Sequence, residues 1–406
     1  MLLALHKLSR LYHLQEFTFF VVSAATLGGC AHFGGSASPP SISIPQTGIH
    51  STPASSSVAT SVAPPRAASI ARESYHQTRS IEVFVATNRK HSGNESDSGP
   101  CTDRTFGTEA DPTVSLLKCK LNLPRLRAVG SIEATQDPRG DTHRYLRVLD
   151  GETVSEKTEW LEDLREGSPA GILIFIHGFN VKFEEALLRA GQIAYDLKFQ
   201  GKVVLLTWPA GPAEGFFETT RLSRTYQANS ETARASVEPF TTLLHDLSSL
   251  GIPTYITIHS MGHQVALRAL ASLPEAERTP WIQELFLNAP DFPVDEFRKV
   301  TLGALRKLAK RITLYCSYQD NAMVASELVN KSRRLGACER FDGVDVVNVS
   351  EVDAPALGIG GLGHGYYAGR AVLTDIHQAL EGIQARDRLF IREGEPNSPE
   401  HFFLRP

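Results

Sequence analysis

The chain has little of several things, and each scarcity narrows what it does. It lacks a basic excess: 41 Lys and Arg stand against 45 Asp and Glu, a formal net charge of −4. A polyanion partner therefore has no electrostatic support, and nucleic-acid binding is not expected. Cysteine is sparse, with five residues in 406, and no two are spaced closely enough for a zinc site or a thioredoxin-like redox pair. No structural metal is expected. No internal repeat is apparent, and no apolar run is long enough to cross a bilayer as a stable helix. What is present is 42% apolar and 21% charged residues, the balance of a soluble globular protein. The length suits one large α/β domain with an appendage, or two ordinary domains.

The first 29 residues read as an export leader. Lys7 and Arg10 precede an apolar stretch from Phe17 to Leu27, too short for a stable span but suited to a secretory h-region. It ends in Leu27-Gly28-Gly29-Cys30, which resembles a bacterial lipobox. That resemblance implies that Cys30 becomes the lipidated first residue of the mature protein. Residues 30–75 are rich in Ser, Pro, Ala and Thr, as in Ser51-Thr52-Pro53-Ala54-Ser55-Ser56-Ser57, and have too few large apolar residues to build a core. They read as a tether between a lipid anchor and a domain over 76–390, with 391–406 as a C-terminal tail. The expected location is the bacterial cell envelope, facing the periplasm or the exterior. An oxidising compartment then leaves Cys101, Cys119, Cys316 and Cys338 to pair. Four thiols allow three connectivities, of which the local pairing, Cys101 with Cys119 and Cys316 with Cys338, closes the shortest loops.

From Ile81 onward short apolar runs alternate with helical patterns. The runs are Ile81–Ala86, Leu116–Leu123, Ile172–Ile176, Val203–Trp208, Tyr255–Ile258, Glu284–Asn288, Ile312–Cys316 and Val344–Val349. Those from Ile172 onward are nearly continuous in Ile, Val, Leu and Phe, as strands buried on both faces should be. Between them, Phe183, Ala186, Leu187, Ala190, Ile193, Ala194 and Leu197 recur at three and four residues, and so do Val237, Phe240, Leu243, Leu244 and Leu247. Alternating strand and helix predicts an α/β three-layer sandwich: a mostly parallel sheet with helices on both faces. Residues 90–165 are more polar and less regular and read as antiparallel edge strands and loops, so that 76–165 as a whole is expected to supply N-terminal edge strands and loops.

In an open parallel sheet, functional groups gather at the carboxyl ends of strands. There, Ile258-His259-Ser260-Met261-Gly262 sits between a strand-like run and a helical pattern (Val265, Ala266, Ala269, Leu270, Leu273). A serine on such a turn projects its hydroxyl above the sheet as a nucleophile. It needs a base oriented by a third group. Asp320 follows Ile312–Cys316, and His364 lies between Gly363 and Gly365 beyond Val344–Val349. The order Ser, Asp, His is that of α/β-hydrolases. Asp291, after Leu285–Asn288, competes with Asp320 for the acid. His259 and His263 lie too near Ser260 along the chain to be the base, His377 falls in a helical pattern, and His177 reads as a brace for its loop. The amides of Met261 and Phe179 are the expected donors to a developing oxyanion, with Gly178 permitting close backbone approach.

Between about 81 and 380 the chain resembles the bacterial α/β-hydrolase family of unassigned physiological function within the esterase/lipase superfamily. The elements that carry the likeness are Val83-Phe84-Val85-Ala86-Thr87-Asn88-Arg89, Ile176-His177-Gly178-Phe179-Asn180 with Phe183-Glu184, Thr207-Trp208-Pro209, His259-Ser260-Met261-Gly262, Ala289-Pro290-Asp291 and Gly363-His364-Gly365-Tyr366-Tyr367. The resemblance implies triad roles for Ser260, Asp320 and His364. Two departures stand out: bulky Ile258 where the elbow usually has a small residue, and Asn229 where an Asp is expected. Phe216, Phe217 and Tyr226 lie where hydrolases carry a cap, either lining an acyl pocket or joining the core. The Gly-rich 357–365 loop either flexes for substrate entry or permits a turn. The expected activity is cleavage of a small-molecule or lipid ester without a cofactor. The alternatives are an acyltransferase of the same chemistry and a non-catalytic envelope lipoprotein that uses the fold for binding.

Overall fold

The structure, a computed structural model, describes residues 80–93, 99–124, 127–133, 144–211, 218–352 and 364–405. The expected leader, Cys30, the tether, Phe216, Phe217 and most of the Gly-rich 357–365 loop lie outside the described residues.

The apolar runs become an 11-stranded sheet. In chain order the strands are β1 (Ser80–His91), β2 (Phe106–Asn122), β3 (Val148–Val154), β4 (Ile172–Ile176), β5 (Lys202–Thr207), β6 (Thr254–His259), β7 (Ile282–Asn288), β8 (Ile312–Cys316), β9 (Asp345–Asn348), β10 (Ile391–Glu393) and β11 (Phe402–Leu404). Their spatial order is β10-β11-β9-β8-β7-β6-β4-β5-β1-β2-β3. From β11 across to β1 every neighbouring pair is parallel. The N-terminal region supplies the antiparallel edge β1-β2-β3.

Alternation along the central strands builds two separate cores. In β4, Ile172, Ile174 and Ile176 face one side, while Leu173 and Phe175 face the other. The first side is covered by α1 (Lys157–Arg165), α4 (Val237–Ser248), α5 (Gly262–Ala271) and α6 (Leu302–Leu308). There Trp160, Phe240, Leu243, Leu244, Val265, Leu270 and Leu305 are buried. The second side is covered by α2 (Phe183–Asp196) and α8 (Arg370–Leu380) through Phe183, Leu187, Ile193, Val372 and Ile376. Each fully buried side chain of this size contributes roughly 1.5–3 kcal/mol relative to exposure. Two further helices, α3 (Glu218–Ala235) and α7 (Asn321–Asn330), follow β5 and β8. They stand where loops leave the carboxyl ends of the strands.

Within the supposed tail over 391–406, the described residues 391–405 include two strands of the sheet. Phe402 and Phe403 of β11 pair with Val347 and Asn348 of β9, and β10 closes that edge against β11. Three-residue strands carry too little pattern for period two to show. Burial of Phe402 and Leu404 against the second core provides the stabilisation instead. The cysteines pair locally, Cys101 with Cys119 and Cys316 with Cys338.

Candidate active site

The chain leaves β6, turns sharply at Ser260 and enters α5 at Gly262. Ser260 adopts φ +53°, a left-handed conformation costly for a residue with a Cβ. Neighbouring groups hold it there. Its N–H donates to the Asn288 carbonyl at 3.0 Å, and its own carbonyl accepts from the His263 amide at 3.2 Å and the Asp291 amide at 3.3 Å. The His263 Nδ1–H donates to the same carbonyl at 2.7 Å. Burial pushes the His263 imidazole down to about 3, so this brace is neutral. The crowding falls on two glycines. A Cβ on Gly262 would stand 2.4 Å from the His177 carbonyl oxygen, and one on Gly178 would stand 2.7 Å from the Ser260 Cβ. Ile258 does not obstruct the turn. It is fully buried in the first core and paired in the sheet between Ile176 and Leu287.

Asp320 follows β8 and caps α7, its Oδ1 accepting from the Met323 amide at 3.1 Å. Its Oδ2 lies 2.7 Å from His364 Nδ1, with the carboxylate fully buried and the imidazole 13% exposed. His364 takes φ +79°. The ring of His259, the residue before Ser260, lies 4.8 Å from the His364 ring. The His259 Nε2–H donates to the His364 carbonyl at 3.2 Å, and its other face stacks on Tyr367 at 3.7 Å. Burial, followed by the charge of a protonated His364, holds the His259 imidazole well below its usual range. His259 thus ties the loop that carries His364 to the elbow as a neutral donor.

Asp291 goes elsewhere. Its carboxylate accepts from the Tyr226 hydroxyl at 2.9 Å and the Ser326 hydroxyl at 2.6 Å, and it lies 3.2 Å from Arg334 Nε. Burial and the Asp291 charge push the Tyr226 phenol up to about 12. The Tyr226 ring lies 5.9 Å from Phe179, so this residue joins a polar network at one end and touches the loop after β4 at the other. His377, on α8, donates its Nδ1–H to the Leu197 carbonyl at 2.9 Å and takes no part in the site.

The loop after β4 brings Phe179 beside the elbow. Among the described residues, neither the Phe179 amide nor the Met261 amide has a hydrogen-bond acceptor, which leaves both N–H groups available to a ligand. His177 braces this loop. Its Nδ1–H donates to Gly178 O at 3.0 Å, its Nε2 accepts from the Thr207 hydroxyl at 2.9 Å, and its ring stacks on Trp208 at 5.4 Å. Burial first, then Arg89, pushes the His177 imidazole down to about 3. Asn180 sits at φ +57°, its N–H donating to Asn229 Oδ1 at 3.0 Å. Asn229 Nδ2 donates to the Gly211 carbonyl at 2.9 Å. An Asp there would lack that donor, which accounts physically for the Asn. Sequence reasoning gave no role to Asn288, whose Nδ2 donates to Thr257 Oγ1 and the Ile258 carbonyl at 3.0 Å each. An Asn closing an apolar strand was its only signal.

Residues 152–383 match the sequence profile of a family described as "Alpha/beta hydrolase of unknown function (DUF900)". The matched stretch holds Ser260, Asp320, His364 and the loop after β4. No curated protein matches the chain. Since the match covers more than half of the chain and coincides with the sheet and elbow just described, this protein belongs to that alpha/beta-hydrolase family.

Proposed function

We propose that the protein is a serine hydrolase that cleaves carboxylic esters through an acyl-enzyme. The observation that carries this reading is the buried Asp320 carboxylate 2.7 Å from His364 Nδ1, on a loop tied by His259 to the strained Ser260 turn. With Nδ1–H donating to Asp320, the neutral His364 carries no proton on Nε2, which serves as general base. Ser260 Oγ attacks the ester carbonyl carbon while Nε2 takes its proton. The Met261 and Phe179 amides receive the oxyanion. Collapse expels the alcohol with the proton from His364, and water then repeats the sequence to release the acid. The substrate class is a small-molecule or lipid ester. A lipidated Cys30 would hold the enzyme at the envelope membrane, where lipid esters are abundant.

Turnover of short- and medium-chain p-nitrophenyl esters by wild type and Ser260→Ala tests this. The proposal expects hydrolysis by wild type only. Equal rates in both proteins overturn it. Added alcohols that capture the acyl group would move the assignment to transferase. For the anchor, labelled palmitate should enter wild type and be absent from Cys30→Ser.

A further inference from the structure

Arg89, the polar end of an apolar strand, is left unused by the mechanism. It is 1% exposed and among the largest buried side chains of the protein. Its Nε donates to Thr207 Oγ1 at 3.1 Å. One terminal nitrogen donates to the carbonyls of Gly107 at 3.1 Å and Ala210 at 2.7 Å. The other donates to the Val181 carbonyl at 2.8 Å and lies 3.5 Å from His177 Nε2. Among the described residues no carboxylate lies within ion-pair distance of it. Burial accordingly drives its guanidinium well below the ordinary arginine range, with Asp103 offsetting part of the shift.

A desolvated cation with no carboxylate in contact is an expensive way to fill a core, where an apolar side chain packs at lower cost. Its acceptors explain the choice. They come from the ends of β4 and β5 and from β2, segments far apart in sequence, and they bracket the loop after β4. His177 lies on one side of Phe179 and Val181 on the other. Asn229 grips the intervening Asn180 from a third direction. The planar fork of arginine reaches several fixed carbonyls at once, which the single ammonium of lysine does not.

We propose that Arg89 is a positioning residue for the oxyanion hole: by holding the Val181 carbonyl beyond Phe179 and the Thr207 hydroxyl that donates to His177 before it, its guanidinium fixes the Phe179 amide relative to Ser260. This rests on the serine-hydrolase reading. It gives a role to the Thr87-Asn88-Arg89 end of β1, which lies outside the span matched by the family profile.

The test compares full-length wild type, Arg89→Lys and Arg89→Ala by amide hydrogen exchange and by kcat per fluorophosphonate-titrated site. Residues 178–181 should exchange faster in both variants, with α5 unchanged. The kcat should fall by roughly ten- to a hundredfold, short of the roughly hundred- to thousandfold loss of a whole oxyanion donor, with KM within about twofold. Millimolar guanidinium should restore part of the kcat of Arg89→Ala. Should that variant not fold, Thr207→Val, which removes one acceptor, carries the same expectation in weaker form. Unchanged exchange at 178–181, or an unchanged kcat per titrated site with only a lower melting temperature, overturns the proposal. Wild type inert to both ester and fluorophosphonate would instead sink the hydrolase reading. The exchange data would then still report whether Arg89 orders that loop.

Discussion

His364 Nδ1 meets Asp320 Oδ2 at 2.7 Å, whereas the other strand-end aspartate, Asp291, is engaged by Tyr226, Ser326 and Arg334. Replacing Asp320 with Asn should invert the tautomer preference of His364 and lower kcat by roughly a thousandfold or more. Asp291→Asn should cost less than about tenfold in kcat. Because it leaves the buried Arg334 without its counter-charge, it should cost about 3 kcal/mol of stability instead. Steady-state kinetics paired with urea melts check both. A larger kcat loss in Asp291→Asn would reverse the assignment.

Gly178→Ala should be damaging although it adds one methyl group. The new Cβ would stand 2.7 Å from the Ser260 Cβ and 2.9 Å from His259 Nδ1, so the loop or the elbow must move. A displacement of about 1 Å at a reacting centre costs on the order of a hundredfold in rate. We expect kcat to carry the loss and KM to change little. Wild-type kcat in this variant would show that the loop does not approach the elbow so closely.

The histidines around the elbow predict acid lability. His177 and His263 are held at about 3 by burial, and His259 is depressed as well, against about 6.5 in the unfolded chain. The unfolded state therefore binds more protons below about pH 6.5. The stability these groups confer is complete above that value and is lost as pH falls toward 3. Three such groups set an upper slope of about 4 kcal/mol per pH unit in that window. Urea midpoints measured from pH 7 to pH 4.5 should fall steeply, and His263→Asn should flatten the slope by about one proton. A flat profile would contradict the neutral, buried assignment.

The Cys316–Cys338 bond joins the end of β8, just before Asp320, to a loop that hydrogen-bonds residues 290 and 292 through Gly336 and Leu335. With a sequence separation of 22, its removal as a double Ala variant should cost about 3 kcal/mol in the chain-entropy treatment. Denaturant titration of oxidised and reduced wild type beside this variant checks it. Identical stabilities would mean the thiols are not paired in solution.

Much of the fold was legible because strands such as β4 and β8 are buried on both faces and read as unbroken apolar runs. The individual strands β3, β10 and β11 were not, since a polar or three-residue strand is made by its neighbours rather than by its own pattern. The serine turn showed through its context, while Ile258 raised a doubt that the packing around Gly178 and Gly262 removes. Sequence alone left Asp320 and Asp291 as rivals because both end a parallel strand. In the folded chain Asp320 lies against His364 Nδ1, while Tyr226, Ser326 and Arg334 engage Asp291. Arg89 showed only as part of a likeness and Asn229 only as a departure from one, because both act on backbone groups of remote loops, and such contacts leave no periodic trace.

The central claim is that Ser260 is an activated nucleophile. Its most direct test is intact-mass and peptide analysis of the folded, full-length protein after exposure to an alkyl fluorophosphonate. The account predicts one adduct per chain, located on Ser260 and absent from Ser260→Ala. No adduct on wild type, or an adduct on a different serine, would contradict it.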